Sequence, residues 1–402
     1  MNTWYGYRYS ILLTTWLMYS VFYLNRQNLS AMAPLLIQDL GLSYTQMGLI
    51  MSCFFATYAL SQFPSGYLGD RIGPRKTITL GGLTLAGANL LFGSSSSIYH
   101  LLAAQSINGW GQAAGWAPSI KLITNWFREH GKTTALGVFM TSVPVSITIA
   151  YIFSGWLGAN FGWRFAFFVP ALIMFFMVLI FRLVVRDFPQ EKHRSNIKPS
   201  DEKILRFKDA FSSVLLSGDM WRVGFTFSCV LFTFWGIVMW MPTYIVETVG
   251  FGIEKAVLLS SIIPLGGLFS RLFAGLIVDR LLGGRKKQLI FVCFVFLIPI
   301  VYLIPQAQTV FLLAFLLFLA GFFVQMPFPL IFSYPSELLS ERLVGSGSGF
   351  LDALGQSSSV VSMYLTGFLL DLFHTYEPVF TMYIMVLVVG MFSTLLIREK
   401  VG

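Results

Sequence analysis

The sequence predicts an all-α integral membrane protein with 12 transmembrane helices, arranged as two pseudo-symmetric six-helix bundles. Of its 402 residues, 56% are hydrophobic and 11% are charged, whereas an ordinary soluble domain is about 25% charged. Each span needs about 20 apolar residues, so the chain holds about a dozen. A charged turn, Gly66 to Lys76, lies between apolar runs, and a weaker copy, Gly275 to Arg280, follows 209 positions later. Its recurrence at one offset indicates a duplicated membrane bundle.

The hydropathy of the chain places these helices in order. The first apolar run follows Arg8 as in a signal peptide, but it continues past a usual cleavage site, so it is predicted to be a retained helix. The longest polar interruption, 187–218, is predicted as a cytoplasmic linker between an N-terminal bundle, 1–186, and a C-terminal bundle, 219–402. The predicted spans are 9–36, 45–67, 77–94, 98–125, 133–158, 163–186, 219–246, 256–278, 288–306, 309–334, 343–370 and 377–397.

The distribution of Lys and Arg predicts the orientation of the chain. Basic residues are concentrated in alternate loops, which the positive-inside rule places in the cytoplasm together with both termini. Short termini and a lean linker favour the plasma (inner) membrane of a prokaryote. The net charge of +9 then faces an anionic leaflet and requires no nucleic-acid partner. Outside the linker, the basic residues of these loops are Arg71, Arg75, Lys76, Arg128, Lys132, Arg280, Arg285, Lys286, Lys287 and Arg342.

The residues that catalysis or metal binding would need are not grouped in the sequence. The three cysteines, Cys53, Cys229 and Cys293, lie singly in apolar runs and suggest neither a disulfide framework nor a metal site. The four histidines fall in loops or at helix ends, and the sequence has no nucleophile triad or paired carboxylates. The sequence therefore predicts a protein that is not an enzyme and that has no catalytic residues, metal or cofactor.

Several segments carry a resemblance to a known family. The turn from Gly66 to Lys76, with its apolar flanks, resembles the signature of the major facilitator superfamily, and the resemblance extends over the whole chain. Residues 23–28 with Pro34, residues 109–118 and residues 240–244 are similar to the organic-anion and organophosphate transporter branches of that family. The resemblance implies a central cavity lined mainly by spans 1, 4, 7 and 10, alternating access, and a monomer.

Arg26 lies inside the first span, where an unpaired guanidinium is costly. Such a charge faces a wet cavity or pairs with a carboxylate, and its planar fork suits a carboxylate or phosphate. The resemblance implies that an arginine at this position holds the substrate anion; the structural alternative is an ion pair without substrate contact. Helical spacing and family position give the predicted substrate-binding set: Tyr23, Arg26, Gln112, Trp116, Phe234 and Trp235.

The chain departs from both branches at positions that are charged in relatives. Phosphate-ester exchangers of the family have an arginine and a lysine where this chain has Phe234 and Gln62. Sugar-acid symporters have a charged pair in the fourth span, here Gln105 and Gln112, and an acid beside the first-span arginine, here Asn25. Arg26 is the one cation expected deep in the cavity, where these relatives have two. The expected substrate is therefore a monoanionic or zwitterionic organic solute rather than a phosphate dianion.

Asp352 is predicted near the middle of the eleventh span. It follows Arg342 by ten residues. At 1.5 Å per residue this puts it about 15 Å deep, or about half of the hydrocarbon core. A carboxylate at that depth can carry a proton. The alternatives are a hydrogen-bonded or salt-bridged structural acid, and a pair with Arg26 in one conformation.

The two charged turns are predicted to act as gates. Asp70 and Asp279 end their helices at the cytoplasmic surface, where each can face a helix N-terminus of the opposite bundle; in the family such contacts hold the outward-facing state. The alternative is that they only fix topology. Arg271, two turns before Asp279, is expected near the cytoplasmic end of its span, in a gate pair with Glu337. The predicted gating set is Asp70, Arg71, Arg75, Arg271, Asp279, Arg280 and Glu337.

These residues predict a secondary active transporter that moves a small organic anion by alternating access, coupled to protons or to exchange. The aromatic, charge-poor cavity leaves a second hypothesis open, an efflux pump for amphipathic drugs. A third hypothesis, of a different class, is a non-transporting membrane receptor or scaffold. The expected partners are the small solute, protons and the lipid bilayer.

Overall fold

The computed structural model describes residues 3–127, 131–188, 214–340 and 343–399. Within these ranges the regular structure is helical, and the helices follow the order of the 12 predicted spans. Most of the predicted linker, and Arg128 and Arg342 of the basic loops, lie outside the described residues. The spans are α1 (Thr3–Leu40), α2 (Tyr44–Ile72), α3 (Pro74–Ser94), α4 (Ile98–Ala113, then Trp116–Trp126), α5 (Lys132–Met140, then Ser142–Phe161), α6 (Phe165–Val184), α7 (Gly218–Tyr244, then a π-helical turn Ile245–Val249), α8 (Ile253–Ser260, then Ile262–Leu281), α9 (Lys286–Leu303, then a 3₁₀ turn Ile304–Gln306), α10 (Val310–Gln325, then Pro327–Ile331 and Tyr334–Leu338), α11 (Val344–Phe373) and α12 (Glu377–Leu395).

Eight of the described helices are long and apolar enough to cross a membrane. The other four spans, α1, α2, α4 and α11, carry polar residues within their apolar runs, among them Arg26, Gln62, Gln112 and Asp352. Arg26 is only 2% exposed and Gln112 only 1%. Because charged and polar groups are costly against lipid, α1 and α4 turn these two residues to the inside of the bundle, whereas Gln62 and Asp352 are partly buried.

α4 and α10 are interrupted at equivalent places. α4 breaks at residues 114–115, shortly before Pro118, and α10 breaks at Met326, directly before Pro327. Proline lacks the amide hydrogen that continues a helix, and its ring crowds the preceding turn. The two prolines are 209 positions apart, the offset that separates the charged turns. The pseudo-symmetry predicted from the sequence is therefore visible in the structure as a repeated break.

The N-terminal half (α1–α6) and the C-terminal half (α7–α12) meet closely where α1 ends and α2 begins, here called the α1–α2 end. A Cβ added to Gly367 of α11 would lie 2.1 Å from the carbonyl oxygen of Tyr44 in α2. One added to Gly48 of α2 would lie 2.5 Å from the carbonyl oxygen of Met363 in α11. The two helices therefore touch through their backbones, as small residues permit in membranes.

The carboxylate of Asp371 joins the two halves at this end. It lies near the end of α11 and accepts hydrogen bonds from the backbone N–H groups of Tyr44 at 2.9 Å and Thr45 at 2.7 Å. These two groups belong to the first turn of α2, where N–H groups lack partners in their own helix. A carboxylate at this position also faces the positive end of the helix dipole. Asp371 is thus a helix cap that one half supplies to the other.

Two other pairs of helices extend this contact. The Thr148 hydroxyl of α5 donates to the carbonyl of Ser261 in α8 at 3.3 Å. The Ser30 hydroxyl of α1 donates to the carbonyl of Met239 in α7 at 2.9 Å. Under the predicted topology the α1–α2 end is external, so the contacts described here close the molecule toward the outside.

The charged turn between α2 and α3 is fixed within the N-terminal half. Asp70 lies 2.5 Å from Nζ of Lys121 in α4, and the backbone N–H of Arg75 donates to the Asp187 carboxylate at 2.7 Å. Gly73 of this turn has a φ of +92°. A Cβ there would lie 2.8 Å from the Asp187 carboxylate, so both the backbone and the neighbouring acid require glycine.

We expect Gly73→Ala to lower the free energy of unfolding by about 1–2 kcal/mol, because alanine is strained at positive φ and its Cβ would displace Asp187. The measurement is thermal unfolding of the detergent-purified protein. Gly87→Ala is the matched control, since Gly87 lies within α3 and no atom of the described residues lies within 4 Å of an added Cβ. Equal melting temperatures for the two variants would contradict the role assigned to Gly73.

Candidate functional site

Arg26 lies in a box of aromatic rings at the centre of the molecule. The box takes rings from α1 and α2 in the N-terminal half and from α7 in the C-terminal half, so both halves hold the same guanidinium. Cation–π contacts contribute about 0.5–2 kcal/mol each and stabilise a charge without using its N–H donors. The distances from Cζ to the ring centroids are 4.1 Å for Trp235, 4.8 Å for Phe54, 5.1 Å for Tyr58, 5.3 Å for Phe55 and 5.4 Å for Tyr23.

The donors of Arg26 remain available. Its Nε and Nη2 atoms are buried and have no hydrogen-bond partner in the described part of the chain. Both polar atoms of the Gln112 side chain and Nε1 of Trp235 are in the same state. Each buried polar group without a partner costs about 1–3 kcal/mol, and folded proteins keep few of them. Unpaired donors on a buried cation and on a ring that contacts it, Trp235, are typical of a site that receives a polar ligand.

The backbone that carries Arg26 is fixed by a network of buried asparagines. The Asn89 side chain of α3 and the Asn108 side chain of α4 both donate to the carbonyl of Asn25, at 3.1 and 3.0 Å. Asn28 donates to the Asn89 side chain at 2.8 Å. These bonds hold the polar stretch of α1 against two neighbouring helices. Sequence reasoning did not identify Asn89 and Asn108, although an asparagine within an apolar run is itself a signal.

Four of the other predicted binding residues lie at or near this box, while Gln112 is buried in α4. Tyr23 and Trp235 contact the guanidinium directly, and Phe234 packs beside Trp235 with the ring centroids 4.8 Å apart and the rings tilted by 58°. Trp116 lies one ring further away, since it packs on Tyr19 at 5.6 Å and Tyr19 packs on Tyr23 at 5.4 Å. The three rings of α2 in the box, Phe54, Phe55 and Tyr58, were missed because aromatic residues in a membrane helix are usually packing residues.

Asp352 lies near the same centre but is not paired with Arg26 in this structure. Its Oδ1 accepts a hydrogen bond from the Gln356 side chain, one turn later in α11, at 3.2 Å. It is close enough to Arg26 and Tyr58 to interact with both electrostatically. No ion pair within 4 Å involves Asp352 among the described residues. The carboxylate is therefore a neighbour of the arginine box, held by an amide.

Arg271 does not have the partner predicted for it. Its Nη2 donates to Gln325 of α10 at 2.9 Å, and its guanidinium lies 5.2 Å from the ring of Phe328. Glu337 instead forms an ion pair with Lys286 at the start of α9. The breaks in α10 explain the difference, because they place Glu337 in a separate short segment beside α9 while Gln325 stays beside Arg271. The predicted gate pair of Arg271 and Glu337 is therefore absent from this structure.

The remaining gating residues lie at the end of the molecule opposite the α1–α2 end. The guanidinium of Arg75 donates to the carbonyl of Arg182, and Arg71 and Arg280 are exposed. Asp279 belongs to the last turn of α8, but its side chain lies outside what the structure describes. The partners of Asp70 and Arg75 belong to their own half, so a contact with the opposite half stays a prediction for another conformation.

The structure places a buried arginine, surrounded by aromatic rings, between two pseudo-symmetric halves. A comparison of the sequence with family profiles gives a match over nearly the whole chain. Residues 15–363 match the profile of the Major Facilitator Superfamily, and residues 258–401 match it a second time. The chain belongs to the major facilitator superfamily. It is a multi-pass membrane transporter of this superfamily and not an enzyme, as the sequence predicts.

Three relatives describe the part of the superfamily that this chain resembles. It is 28% identical over 368 residues to the probable hexose phosphate transport protein of Chlamydia trachomatis, covering 86% of this chain and 81% of that protein. It is 24% identical over 408 residues to the probable sulfoacetate transporter SauU of Cupriavidus necator, covering 97% and 94%. It is 27% identical over 388 residues to the membrane sensor protein UhpC of Salmonella typhimurium, covering 92% and 87%.

The fold is shared with a solved transporter structure. A bacterial homologue of the human lysosomal transporter Spinster, in an inward-facing and occupied conformation, superposes with a TM-score of 0.83 at 17% identity and covers 97% of both chains. At this identity the likeness establishes the fold alone. It confirms the fold class predicted from the sequence.

Proposed function

We propose that this superfamily member moves a small organic anion across the membrane by alternating access, with Arg26 as the residue that binds the anion. The observation that carries the proposal is the state of Arg26: it is 2% exposed, and two of its nitrogen atoms are buried with no hydrogen-bond partner in the described part of the chain. An anion that enters the box would accept hydrogen bonds from these atoms, and a buried charge gains most from such bonds. Because rings from both halves surround Arg26, a bound anion would touch both halves.

The relatives support an anionic solute. Two of them are named as probable transporters of hexose phosphate and of sulfoacetate, and both solutes are small organic anions. A monoanion would satisfy Arg26 alone, as the sequence predicts. We further propose the plasma (inner) membrane of a bacterium, cytoplasmic termini and a monomer, in agreement with the distribution of basic loops.

One relative favours a second candidate function. UhpC is named a membrane sensor protein, so a receptor that binds the anion without moving it is the alternative. Drug efflux is the other hypothesis. The positive charge of Arg26 inside the aromatic box would repel an amphipathic cation and attract an anion, so the box suits an anion better. Uptake of a labelled anion into sealed proteoliposomes separates these cases: a sensor binds without uptake, and an efflux pump moves cationic drugs in an Arg26-independent way.

We propose Asp352 as the proton carrier and expect Asp352→Asn to uncouple transport from the proton gradient. One pH unit is worth about 1.4 kcal/mol per proton, enough for about tenfold accumulation of a solute moved with one proton. In proteoliposomes, an imposed proton gradient should drive accumulation of labelled sulfoacetate by the wild type. Asp352→Asn should only exchange external labelled solute for internal unlabelled solute, without accumulation.

The matched control for this experiment is Asp219→Asn. Asp219 lies in the first turn of α7 and forms an ion pair with Arg222. Neither residue contributes to the arginine box. This variant should accumulate solute as the wild type does. If Asp352→Asn still accumulates solute under the gradient, Asp352 is not the proton carrier.

A further inference from the structure

α7 contains a proline close to the point where it meets the N-terminal half. Pro242 lies inside the helix, shortly before its α-helical part ends at Tyr244. A residue in an α-helix donates its N–H to the carbonyl four positions earlier, and proline has no N–H to donate. The carbonyl of Val238 therefore lacks the usual donor from its own helix. Val238 is completely buried, and a buried carbonyl without a donor is costly.

The missing donors come from the opposite half of the molecule. The Tyr151 hydroxyl of α5 donates to the Val238 carbonyl. The Ser30 hydroxyl of α1 lies 3.2 Å from the same oxygen and 2.9 Å from the carbonyl oxygen of Met239. A carbonyl oxygen has two lone pairs, so it can accept from both hydroxyls. The two hydroxyls and the carbonyl that Pro242 leaves free are here called the Val238 contact.

The Tyr151 hydroxyl is oriented for this role by its neighbours. The Gln27 side chain of α1 donates from Nε2 to the Tyr151 oxygen at 3.0 Å, and the Ser30 hydroxyl lies 3.1 Å from it. All three side chains are completely buried. Because the Gln27 amide donates to the phenol oxygen, the phenol proton is directed to the Val238 carbonyl. The N-terminal half therefore presents an ordered donor to a free acceptor of the C-terminal half.

The Val238 contact is adjacent to the arginine box along both helices. Gln27 follows Arg26 directly in α1, and Val238 lies three residues after Trp235 in α7. The Trp235 ring is 4.1 Å from the Arg26 guanidinium. A movement that separates α1 from α7 would therefore open the box and break the contact together.

We propose that Tyr151 is a positioning residue for alternating access: with Ser30 it supplies the donors that Pro242 removes from α7, and it thereby stabilises closure of the α1–α2 end. When the halves separate at this end, the Val238 carbonyl loses both donors, and its own helix cannot replace them. An ordinary helix carbonyl keeps its bond within the helix in both states and gives no such preference. The proposal concerns closure and requires no particular solute, so it goes beyond the proposed anion transport.

The test compares Tyr151→Phe with Tyr383→Phe. Tyr383 of α12 is also buried, and its hydroxyl is 2.8 Å from that of Thr366 in α11, within the C-terminal half. Both variants lose one hydroxyl from a buried ring, but only Tyr151→Phe loses a hydrogen bond between the halves. Thermal unfolding of the two variants measures their loss of stability separately from any change in closure.

Opening is measured as the rate at which a thiol reagent modifies Ser52→Cys, without solute and in a background that lacks the three native cysteines. Ser52 of α2 is 4% exposed and donates to the carbonyl of Val360 in α11 of the opposite half. Its replacement is therefore protected while the α1–α2 end is closed. When opening and closing are fast relative to modification, the rate is proportional to the open population.

Tyr151→Phe should raise the rate of modification about tenfold, because a buried hydrogen bond of the closed state is lost. Tyr383→Phe should leave the rate unchanged, although its melting temperature also falls. An unchanged rate in Tyr151→Phe would overturn the inference. An equal rise in both variants would overturn it as well, since loss of stability alone would then explain the result.

The role of the proline is tested with Pro242→Ala. Alanine restores an N–H that can donate to the Val238 carbonyl within α7, so adding Tyr151→Phe to this variant should raise the rate only about twofold or less. A tenfold rise there would show that the freed carbonyl is not the basis of the effect. If Pro242→Ala does not fold, Ser30→Ala takes its place: it should raise the rate as Tyr151→Phe does, and an unchanged rate would remove the Val238 contact from closure.

Discussion

Arg26→Gln is expected to weaken anion binding about a hundredfold or more, because two charge-assisted hydrogen bonds of about 1.5–3 kcal/mol each are lost. The same variant should be at least as thermally stable as the wild type in the absence of solute. The wild-type guanidinium is buried and has no counter-ion within 4 Å among the residues that the structure describes, and such a charge is costly even when aromatic faces offset part of the cost. Loss of binding without loss of stability is the signature of a residue kept for its ligand.

The measurement is a thermal-shift titration with sulfoacetate and glycerol 3-phosphate, followed by uptake into proteoliposomes. Arg182→Gln is the control, since Arg182 is exposed in the last turn of α6 and does not belong to the predicted gating set. A large fall in the melting temperature of ligand-free Arg26→Gln would instead mean that Arg26 is a structural residue. Unchanged anion binding in that variant would remove it from the site.

Gly367→Val is expected to stop transport by keeping the α1–α2 end open. An added Cβ at Gly367 would lie 2.1 Å from the carbonyl oxygen of Tyr44 and 2.7 Å from its carbonyl carbon. These neighbours are backbone atoms that cannot rotate away, so α11 and α2 would have to separate. A transporter that alternates access must close each end in turn, and a variant unable to close one end cannot complete the cycle.

Gly349→Val provides a close control for this effect. Gly349 lies on the same helix, α11, and an added Cβ there would have no neighbour within 4 Å in the part of the chain that the structure describes. The intrinsic cost of valine in a helix is therefore the same in both variants. Spin-label distances between the α1–α2 ends of α2 and α11 should lengthen in Gly367→Val only. Wild-type uptake by that variant would show that the glycine contact is not needed for closure.

The helices and the central cation could be predicted because their signals are local in the sequence. Apolar runs of membrane length and repeated charged turns define spans without knowledge of tertiary contacts. Arg26 stands out because a charge inside an apolar run has few explanations. Asp352 was placed in the same way, by counting residues from the start of its span.

The partners of these residues could not be predicted, because they come from distant segments. Whether Phe54 or Tyr58 packs on lipid, on a neighbouring helix or on Arg26 depends on helix rotation, which the apolar composition of α2 does not specify. Arg271 was assigned to a gate by its distance from Asp279 along the chain. Depth counted in this way gives no information on the facing helix, and here Gln325 and not Glu337 lies opposite.

The closure at the α1–α2 end is made largely of backbone. Gly48 and Gly367 permit contact with carbonyl groups, Ser52 donates to the carbonyl of Val360 at 2.8 Å, and Asp371 accepts from two main-chain N–H groups. Such a contact depends on few side chains, and none of them belongs to the arginine box. Selection can therefore change which solute the protein recognises without disturbing the machinery that opens and closes it.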